Sequence, residues 1–543
     1  MKDKHLIALL LLIITAMLVI CGGITYKINV AKNFNVYDSY ADKLSLNYYN
    51  SSGIENINED FTVDDNFSSH LPLIIIDTYG IDPPINTKFV SVSDNSAIGG
   101  VHIPIEGVKP YVDGEISVID NGDSGDNVNR LDDIPAYSGS ISIKRRGNTS
   151  MSYEKAQWLF KTLDEFGQET DVNILNMGAE DEWVLNGSLA DKSMIRNYLA
   201  YSIASQILEN TPDSRLCEVI IKNGDEYKYQ GVYMLTENIK YGVNRVNISK
   251  FEEKDTYNSY LLRRDRYDAN GLMLETYGRL NGFSKEYIAL LYPSKNKVTD
   301  EMLEYVTDDI NHVEEILYSD DPTVFSTYSN VIDVNSFIDY FLINEFFGNY
   351  DAGNNSTYFY KEKGGKLTMG PVWDFDGAMD NYMYEPFDVD TIAFYTKPWY
   401  DRLCLDKNFL KKLEKRYLVL KRTYLNPDYV TAKIDEIDFH LGGAIEREWY
   451  RWGKYYKTYN DLSLEDYTLK DGTILYRNAI THEDEIYRIK TMLNEHSKYI
   501  YDDIRDLEQG AVFNSGNDDV TGWLLLLAAC LFIIPSVLAV YRQ

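Results

Sequence analysis

The chain has 543 residues, of which 44% are hydrophobic and 13% aromatic, so it can bury a substantial core, and its length predicts more than one domain. The formal net charge of −31 argues against a nucleic-acid partner, because binding to a phosphate backbone depends on clusters of lysine and arginine. The same acidic surface repels a nucleotide at long range, so any nucleotide site must be a local basic pocket.

The first predicted element is an apolar segment at the start of the chain. Residues 6–24 contain no charged side chain, follow Lys2 and Lys4, and are long enough to span a bilayer. We predict a transmembrane anchor or an uncleaved signal over residues 1–25, with a cleaved signal peptide as the alternative. Residues 26–68 are rich in Asn, Asp, Ser and Tyr and are predicted to form a stalk.

Strands are predicted next. Short apolar runs broken by Gly, Pro and Asp predict a β-rich N-terminal part over residues 69–142. Two further strands are predicted at residues 218–222 and 229–235, and the Lys-Asn-Gly-Asp turn between them is typical of a hairpin.

Helices dominate the later sequence. A helix is predicted to begin near Asp191, whose side chain would cap it, because four apolar residues recur at four-residue intervals: Ile195, Leu199, Ile203 and Ile207. Amphipathic patterns predict later helices near residues 300–317, 333–347, 408–424, 430–450 and 480–508. Because strands come first and helices later, the sequence predicts an α+β protein with a helical C-terminal part over residues 401–515.

Two segments rich in aspartate and asparagine carry the strongest chemical signal. Asp351, Asn354 and Asn355 lie in residues 348–356, and Asp374 and Asp376 lie in a Trp-Asp-Phe-Asp segment. Carboxylates set among aromatic and aliphatic residues need a cation or hydrogen bonds to stay ionised, and hard oxygen ligands are those that Mg²⁺ or Ca²⁺ prefers. Two predicted strands and a Gly-Gly turn between the segments form a hairpin that would return Asp374 to Asp351.

The arrangement predicts a site for a metal and a phosphate. Kinase-type phosphotransferases place an acceptor-orienting Asp before one strand and a metal-binding Asp-Phe element after the next. The alternative is that Asp351 and Asn354 shape a turn and Asp374 caps a helix.

Five segments in order resemble the spore-coat CotH family of atypical protein-kinase-like proteins. They are residues 143–150 followed by Lys155 and Lys161, residues 191–197, residues 231–237, and the two aspartate segments. The resemblance covers about residues 70 to 460 and implies a two-lobed kinase-like fold with its catalytic region at residues 143–400. The chain has no His-Arg-Asp and no Gly-x-Gly-x-x-Gly, and the resemblance implies neither.

The resemblance also assigns roles to residues. It implies that Asp351 is catalytic and that Asp374 binds metal; Asn354 and Asn355 are further metal ligands, and Asp376 is the rival of Asp374. The implied cofactors are ATP and Mg²⁺, with Mn²⁺ or Ca²⁺ as alternatives.

A phosphate grip is predicted around residues 146–148. Gly147 lets the backbone approach a phosphate, Arg146 and Asn148 flank it, and either Lys155 or Lys161 would follow on the next strand. Either lysine is equally well interpreted as a solvated residue of an edge strand. Two further candidates complete the set: Glu237 would pair with the chosen lysine, and Arg196 would either clamp a phosphate or lie on an exposed helix face.

The chain ends in a second apolar segment, residues 521–541, which is predicted to be a C-terminal transmembrane helix followed by Arg542. Basic residues beside both predicted spans place both termini in the cytoplasm and the main domain outside it, at the cell membrane. Cys217 and Cys404 are the one pair outside these segments that could form a disulfide.

The sequence therefore predicts a membrane-anchored, extracytoplasmic kinase-like phosphotransferase that uses Mg-ATP to modify a protein or cell-surface acceptor. The alternative is a catalytically inactive structural or adhesion module of the cell surface, or an accessory to synthesis of a polysaccharide or polyphosphate at the membrane.

Overall fold

The computed structural model of the protein describes residues 61–90, 101–122, 128–255, 257–382, 387–458 and 465–515. The first fourteen strands in these ranges belong mainly to the N-terminal part: β1 (Thr62–Val63), β2 (Ser68–Ser69), β3 (Leu73–Asp77), β4 (Thr87–Val90), β5 (Val101–Pro104), β6 (Val112–Ile119), β7 (Asn129–Arg130), β8 (Tyr137–Arg145), β9 (Trp158–Leu163), β10 (Val172–Asn173), β11 (Ala179–Glu180), β12 (Glu182–Asn186), β13 (Ser214–Asn223) and β14 (Glu226–Glu237). The later strands are β15 (Tyr260–Asp265), β16 (Leu272–Leu274), β17 (Tyr287–Tyr292), β18 (Thr357–Lys361), β19 (Leu367–Met369), β20 (Tyr467–Thr468) and β21 (Ile474–Leu475).

Eight strands form a barrel-like sheet. Its order is β1-β14-β12-β9-β8-β6-β3-β13, and β13 also pairs with β14, which closes the sheet. Strand β3 shows why its sequence is an unbroken apolar run: Ile74 and Ile76 pack into one buried cluster, whereas Leu73 and Ile75 pack into another. A strand buried on both faces needs apolar residues at successive positions rather than at alternate ones.

A second, antiparallel sheet supports the aspartate segments. Its order is β16-β17-β15-β18-β19, and β18 and β19 form the hairpin that the sequence predicted, with Phe359 opposite Met369. This sheet is a correction to the predicted order of strands first and helices later. Its strands are separated by helices in the sequence because β15 pairs with β17 on one side and, on the other side, with β18, which begins about a hundred residues after β15.

The α-helices within the described residues are α1 (Arg196–Ala204), α2 (Tyr277–Leu280), α3 (Asp300–Leu317), α4 (Pro322–Phe325), α5 (Tyr328–Val331), α6 (Val334–Phe346), α7 (Tyr400–Leu403), α8 (Lys407–Leu420), α9 (Pro427–Leu441), α10 (Gly443–Thr458) and α11 (His482–Gly510). Short 3₁₀ helices span Thr149–Ser152 and Phe394–Thr396. Helix α3 matches the predicted residues 300–317, because Thr299 caps its first turn and the residues it buries recur three or four apart.

Two helix predictions are corrected. The helix predicted at residues 430–450 is divided into α9 and α10 by Gly442, whose φ of +43° lies in the left-handed region that ends helices. The helix predicted from Asp191 begins only at Arg196, and all nine of its residues are buried rather than one face. Helix α1 packs against both β13 and α9, which leaves it no solvent-facing side.

Among the described residues no helix is long and apolar enough to cross a membrane. The longest, α11, has 29 residues, but charged side chains along it make it an amphipathic helix that packs on α8 and α9. The predicted spans over residues 1–25 and 521–541, and nearly all of the stalk predicted over residues 26–68, lie outside the described residues. Within the described residues the protein has a mixed α+β fold, and the two transmembrane helices of the predicted fold class are not among its helices.

The predicted membrane partner and the predicted cell-membrane location rested on those two spans, and the structure does not support them. Cys217 and Cys404 are both free and buried, so the pair that could have formed a disulfide does not do so.

Candidate functional site

The loop between α6 and β18 holds Asp351. The Asp351 carbonyl oxygen accepts hydrogen bonds from the backbone N–H groups of Asn354 (3.2 Å) and Asn355 (2.8 Å), which folds the loop into a tight turn. The side-chain Nδ2 of Asn355 donates to Asp351 Oδ1 at 2.9 Å. The alternative prediction, that Asp351 and Asn354 shape a turn, is therefore confirmed. This turn places the Asp351 carboxylate at the start of the hairpin.

Asp374 is brought to this loop by the β18–β19 hairpin. Ser356 Oγ donates to Asp374 Oδ2 at 3.2 Å, and the Asp374 backbone N–H donates to the hydroxyl of Tyr201 at 3.4 Å. The φ of Asp374 is +64°, a strained left-handed conformation of the kind that collects at functional sites. Burial, together with the charge of Asp351, raises its pKa from 3.8 to about 6, and the charge of Arg146 opposes the shift.

The two asparagines of the loop have different surroundings. Asn354 Nδ2 donates to Glu286 Oε1 at 2.9 Å, so Asn354 is tied to the second sheet. Asn355 Oδ1 is buried and has no hydrogen-bond partner among the described residues, although Asn355 Nδ2 is used on Asp351. A buried acceptor without a donor costs about 1–3 kcal/mol, and a bound cation would satisfy it. Asn355 and Asp374 therefore fit a hard divalent cation better than Asn354 does.

Arg146 supplies a positive charge that acts on Asp374. Its guanidinium lies over the Trp373 ring at 5.4 Å, its Nη1 donates to Gln157 Oε1 at 2.9 Å, and its charge holds the pKa of Asp374 down. The side chain is only partly buried, so it can also reach an anion. Asn148 is exposed at the start of the 3₁₀ helix, and its backbone carbonyl accepts from the N–H of Met151.

Lys155 is buried in an ion pair that the sequence did not predict. Its Nζ lies 2.5 Å from Glu448 Oε1 and donates to the Val232 carbonyl at 2.9 Å. Burial lowers the pKa of Lys155, and Glu448 opposes that shift. Gly231 makes room for the pair: its φ is +113°, and a Cβ there would lie 2.2 Å from Glu448 Oε2.

A family model described as CotH kinase protein matches residues 143–500. The chain belongs to this family. No curated protein matches it. Membership makes the protein kinase-like, as the resemblance in the sequence implied, and the match contains every candidate site residue described above.

Two predicted cofactor-binding residues lie elsewhere in this CotH family domain. Lys161 Nζ pairs with Glu169 Oε1 (2.5 Å) and Glu182 Oε2 (3.7 Å), whereas Glu237 Oε1 pairs with Arg245 Nη1 (2.6 Å). The prediction that Glu237 pairs with Lys155 or Lys161 is wrong. Lys161 stands opposite Glu182 in the sheet and Glu237 stands opposite the next residue, Trp183, so the two side chains point to opposite faces.

Arg196 neither clamps a phosphate nor lies on an exposed face. It is fully buried, with Nη1 2.6 Å from Asp191 Oδ1 and Nη2 2.6 Å from Glu485 Oε1. Its Nε donates to the carbonyl of Ala378 at 3.0 Å, so it supports the loop that follows Asp374. Asp191 Oδ2 also accepts the backbone N–H of Arg196, but the N-cap residue of α1 is Ile195, so Asp191 supports the start of the helix without being the N-cap that was predicted.

Asp376 faces α1 rather than the loop of Asp351. Asn197 Oδ1 accepts the N–H of Phe375 at 2.7 Å, and its Nδ2 donates to Asp376 Oδ1. Burial, together with the charge of Asp374, raises the pKa of Asp376 to about 7. Asp374 therefore contacts the Asp351 loop, whereas its predicted rival Asp376 contacts helix α1.

Sequence reasoning missed several residues that shape the site. They are Asn197, Tyr201, Asp265, Glu286 and Glu448. Asp265, on β15, is buried and its charge raises the pKa of Asp374. Each acts across a long separation in sequence, and the one available signal was the placement of polar residues in otherwise apolar helices and strands.

Proposed function

We propose that this CotH family protein is a phosphotransferase that uses Mg-ATP to phosphorylate a hydroxyl group of a protein or cell-surface acceptor. The observation that carries the proposal is the approach of the Asp351 loop to Asp374, with the buried Asn355 Oδ1 beside them lacking a donor within the described chain. A buried acceptor without a donor, on a side chain that contacts the Asp351 carboxylate, supports a cation site, and the family supports a nucleotide as the species that brings the cation.

Each residue has a role in this proposal. Asp374 and Asn355 would hold the metal, which supplies charge neutralisation at the phosphates when bound. Arg146 would contact the phosphates, because it is the partly exposed cation beside Asp374. Lys155 is less suited to direct contact, since Glu448 and the Val232 carbonyl already hold its ammonium in a fully buried position.

Asp351 would orient the acceptor. Its Oδ1 is fixed by Asn355, which leaves Oδ2 to accept the proton of the attacking hydroxyl. The hydroxyl oxygen forms a bond to the γ-phosphorus, the bond from that phosphorus to the β,γ-bridging oxygen breaks, and ADP leaves with the electron pair. The hydroxyl proton passes to Asp351 and then to solvent.

The proposal is tested by transfer of the γ-phosphoryl group from labelled ATP by the purified full-length chain, with Mg²⁺ or Mn²⁺ present. We expect incorporation by the parent and none by Asp374→Asn or Asn355→Ala. Asp502→Asn, an exposed position on α11, is the matched control and should behave as the parent. A parent that binds Mg-ATP without transferring phosphate to any added acceptor, or that binds none, would favour the inactive structural module instead.

A further inference from the structure

A cavity lies away from the aspartate site. Its volume is about 950 Å³, and its walls come from the loop between β10 and β11, the residues after α1, the loop after β14, and the β18–β19 hairpin. Asp351, Asp374 and Arg146 do not line it. A cavity of this size is at the upper end of the range for small-molecule sites.

Arg245 lines this cavity with an incompletely satisfied guanidinium. The residue is 6% exposed; its Nη1 pairs with Glu237 Oε1 at 2.6 Å and donates to the Asn244 carbonyl at 2.9 Å. Its Nε and Nη2 have no partner among the described residues. These two nitrogens form the side-on fork of an arginine, which matches the two oxygens of a carboxylate.

Asp213 lines the same cavity with an unused acceptor. It is 3% exposed, and its Oδ1 accepts from the Ser214 N–H (2.9 Å) and Arg215 Nη1 (2.5 Å). Its Oδ2 is buried and lacks a donor within the described ranges. Arg245 and Asp213 therefore give the lining of one cavity an unpaired arginine fork and an unpaired carboxylate oxygen, which together suit a ligand that carries both an anion and a hydrogen-bond donor.

The other residues that line the cavity favour one class of ligand over another. Glu209, Asp333 and Glu362 also line the cavity and disfavour a doubly charged phosphate, whereas a single carboxylate is matched by the one fork. Lys366 adds a second cation to the lining. Further lining residues carry uncharged amides and hydroxyls, which suit a ligand rich in hydroxyl groups: Asn176, Asn210, Asn244, Asn247, Ser205, Thr211 and Thr368.

We propose that this cavity binds a uronic acid, as a free sugar or as a residue of a short acidic glycan. The sugar carboxylate accepts both N–H groups of the Arg245 fork, and a ring hydroxyl donates to Asp213 Oδ2. The proposal is independent of phosphoryl transfer, because it uses no residue of the aspartate site.

The test is calorimetric titration of the full-length chain with sodium D-glucuronate, with D-glucose as the neutral comparison. We expect D-glucuronate to bind at least about tenfold more tightly than D-glucose, since only the acid uses the fork. Arg245→Lys keeps the charge and loses the fork, so it should weaken D-glucuronate binding by about tenfold or more.

A second variant guards against a folding defect in Arg245→Lys. Asn247 is exposed and lines the cavity, so Asn247→Trp fills the space without touching Arg245 and should abolish binding. Arg402→Lys, which changes a partly buried arginine outside the cavity, is the control and should bind as the parent. Failure of the parent to bind D-glucuronate, equal binding of both sugars, or unchanged binding by Asn247→Trp would overturn the proposal.

Discussion

Two carboxylates in this protein have opposite pKa shifts, and their surroundings explain why. Glu485 is fully buried, yet Arg488 and Arg196 outweigh the effect of burial and hold the pKa of its carboxyl below the usual range. Asp374 is partly buried, and its carboxylate neighbour Asp351 adds to the effect of burial, so that its pKa is raised to about 6. Two arginines surround Glu485; Asp374 has one partly exposed arginine and a second acid.

The opposite pKa shifts distinguish a structural network of ion pairs around Glu485 from a site around Asp374 that is suited to bind a cation. Around Glu485, ion pairs satisfy the charges internally: Arg196 pairs with Asp191 and Glu485, and Arg488 pairs with Glu485. Around Asp374 the negative charge exceeds the positive charge, and Asn355 Oδ1 lacks a donor within the described chain. Perturbed acids that the protein does not neutralise are characteristic of functional sites.

The largest effect is expected on catalysis. Asp351→Asn should lower turnover by about 10² to 10⁴ while ATP affinity stays within a few-fold, because the amide keeps the size of the side chain and loses the proton acceptor. Turnover, nucleotide affinity and the thermal midpoint are measured on one preparation. Equal turnover in parent and variant would remove Asp351 from the mechanism, and a joint loss of all three would assign it to the turn alone.

Substitutions in the ion-pair network around Glu485 should lower the stability of the protein rather than its catalytic activity. Glu485→Ala leaves Arg196 and Arg488 buried without their shared partner, so we expect a loss of about 3–5 kcal/mol in the free energy of unfolding. Denaturant titration measures it. Glu483→Ala, an exposed position in the same helix, is the control and should change stability by less than about 0.5 kcal/mol. A small loss for Glu485→Ala would show that the network is not structurally required.

A smaller loss is expected where the backbone approaches Glu448. Gly231→Ala places a methyl group against Glu448 Oε2 at a φ of +113°, and we expect it to cost about 2–3 kcal/mol. Gly224→Ala is the matched control, because its φ is also positive, at +63°, but nothing lies within 4 Å of its added Cβ. Equal losses for both variants would mean that φ alone, and not the Lys155–Glu448 pair, requires a glycine at residue 231.

The smallest effect is expected in the pH dependence of stability, and it tests the comparison of Asp374 with Glu485. Asp374 binds its proton more tightly in the folded protein than in the unfolded chain. Its ionisation therefore lowers the free energy of unfolding as the pH rises from 3.8 to about 6. In the absence of divalent cations, Asp374→Asn should therefore be more stable than the parent at pH 8, by about 1–2 kcal/mol, and the gain should vanish near pH 3.5. Thermal melting at both pH values checks this. A variant less stable than the parent at pH 8 would show that the Asp374 charge is already compensated.

The sequence predicted what depends on neighbours along the chain. The hairpin between Asp351 and Asp374 was predictable because two short strands flank a Gly-Gly turn, and α3 was predictable from its cap and apolar spacing. These local signals were sufficient to predict that the two acids approach each other.

The sequence did not predict which residues from distant segments contact the site residues. Glu448 reaches Lys155 across nearly three hundred residues, and Asn197 reaches Asp376 across almost two hundred. Glu237 was paired with the wrong cation because the face on which it lies depends on strand register, which one sequence does not give. The prediction for Arg196 was wrong because α1 is buried on every side. A polar residue in such a helix is buried as well, and the sequence pattern does not show this.

The most direct test of the central claim is Mg²⁺-dependent binding of ATP to the full-length chain, measured by calorimetry for the parent, Asp374→Asn and Glu483→Ala. The account predicts that the parent and Glu483→Ala bind ATP only when Mg²⁺ is present, and that Asp374→Asn, although folded and at least as stable at pH 8, shows no Mg²⁺-dependent binding. Equal Mg-ATP affinity in the parent and Asp374→Asn would contradict the account.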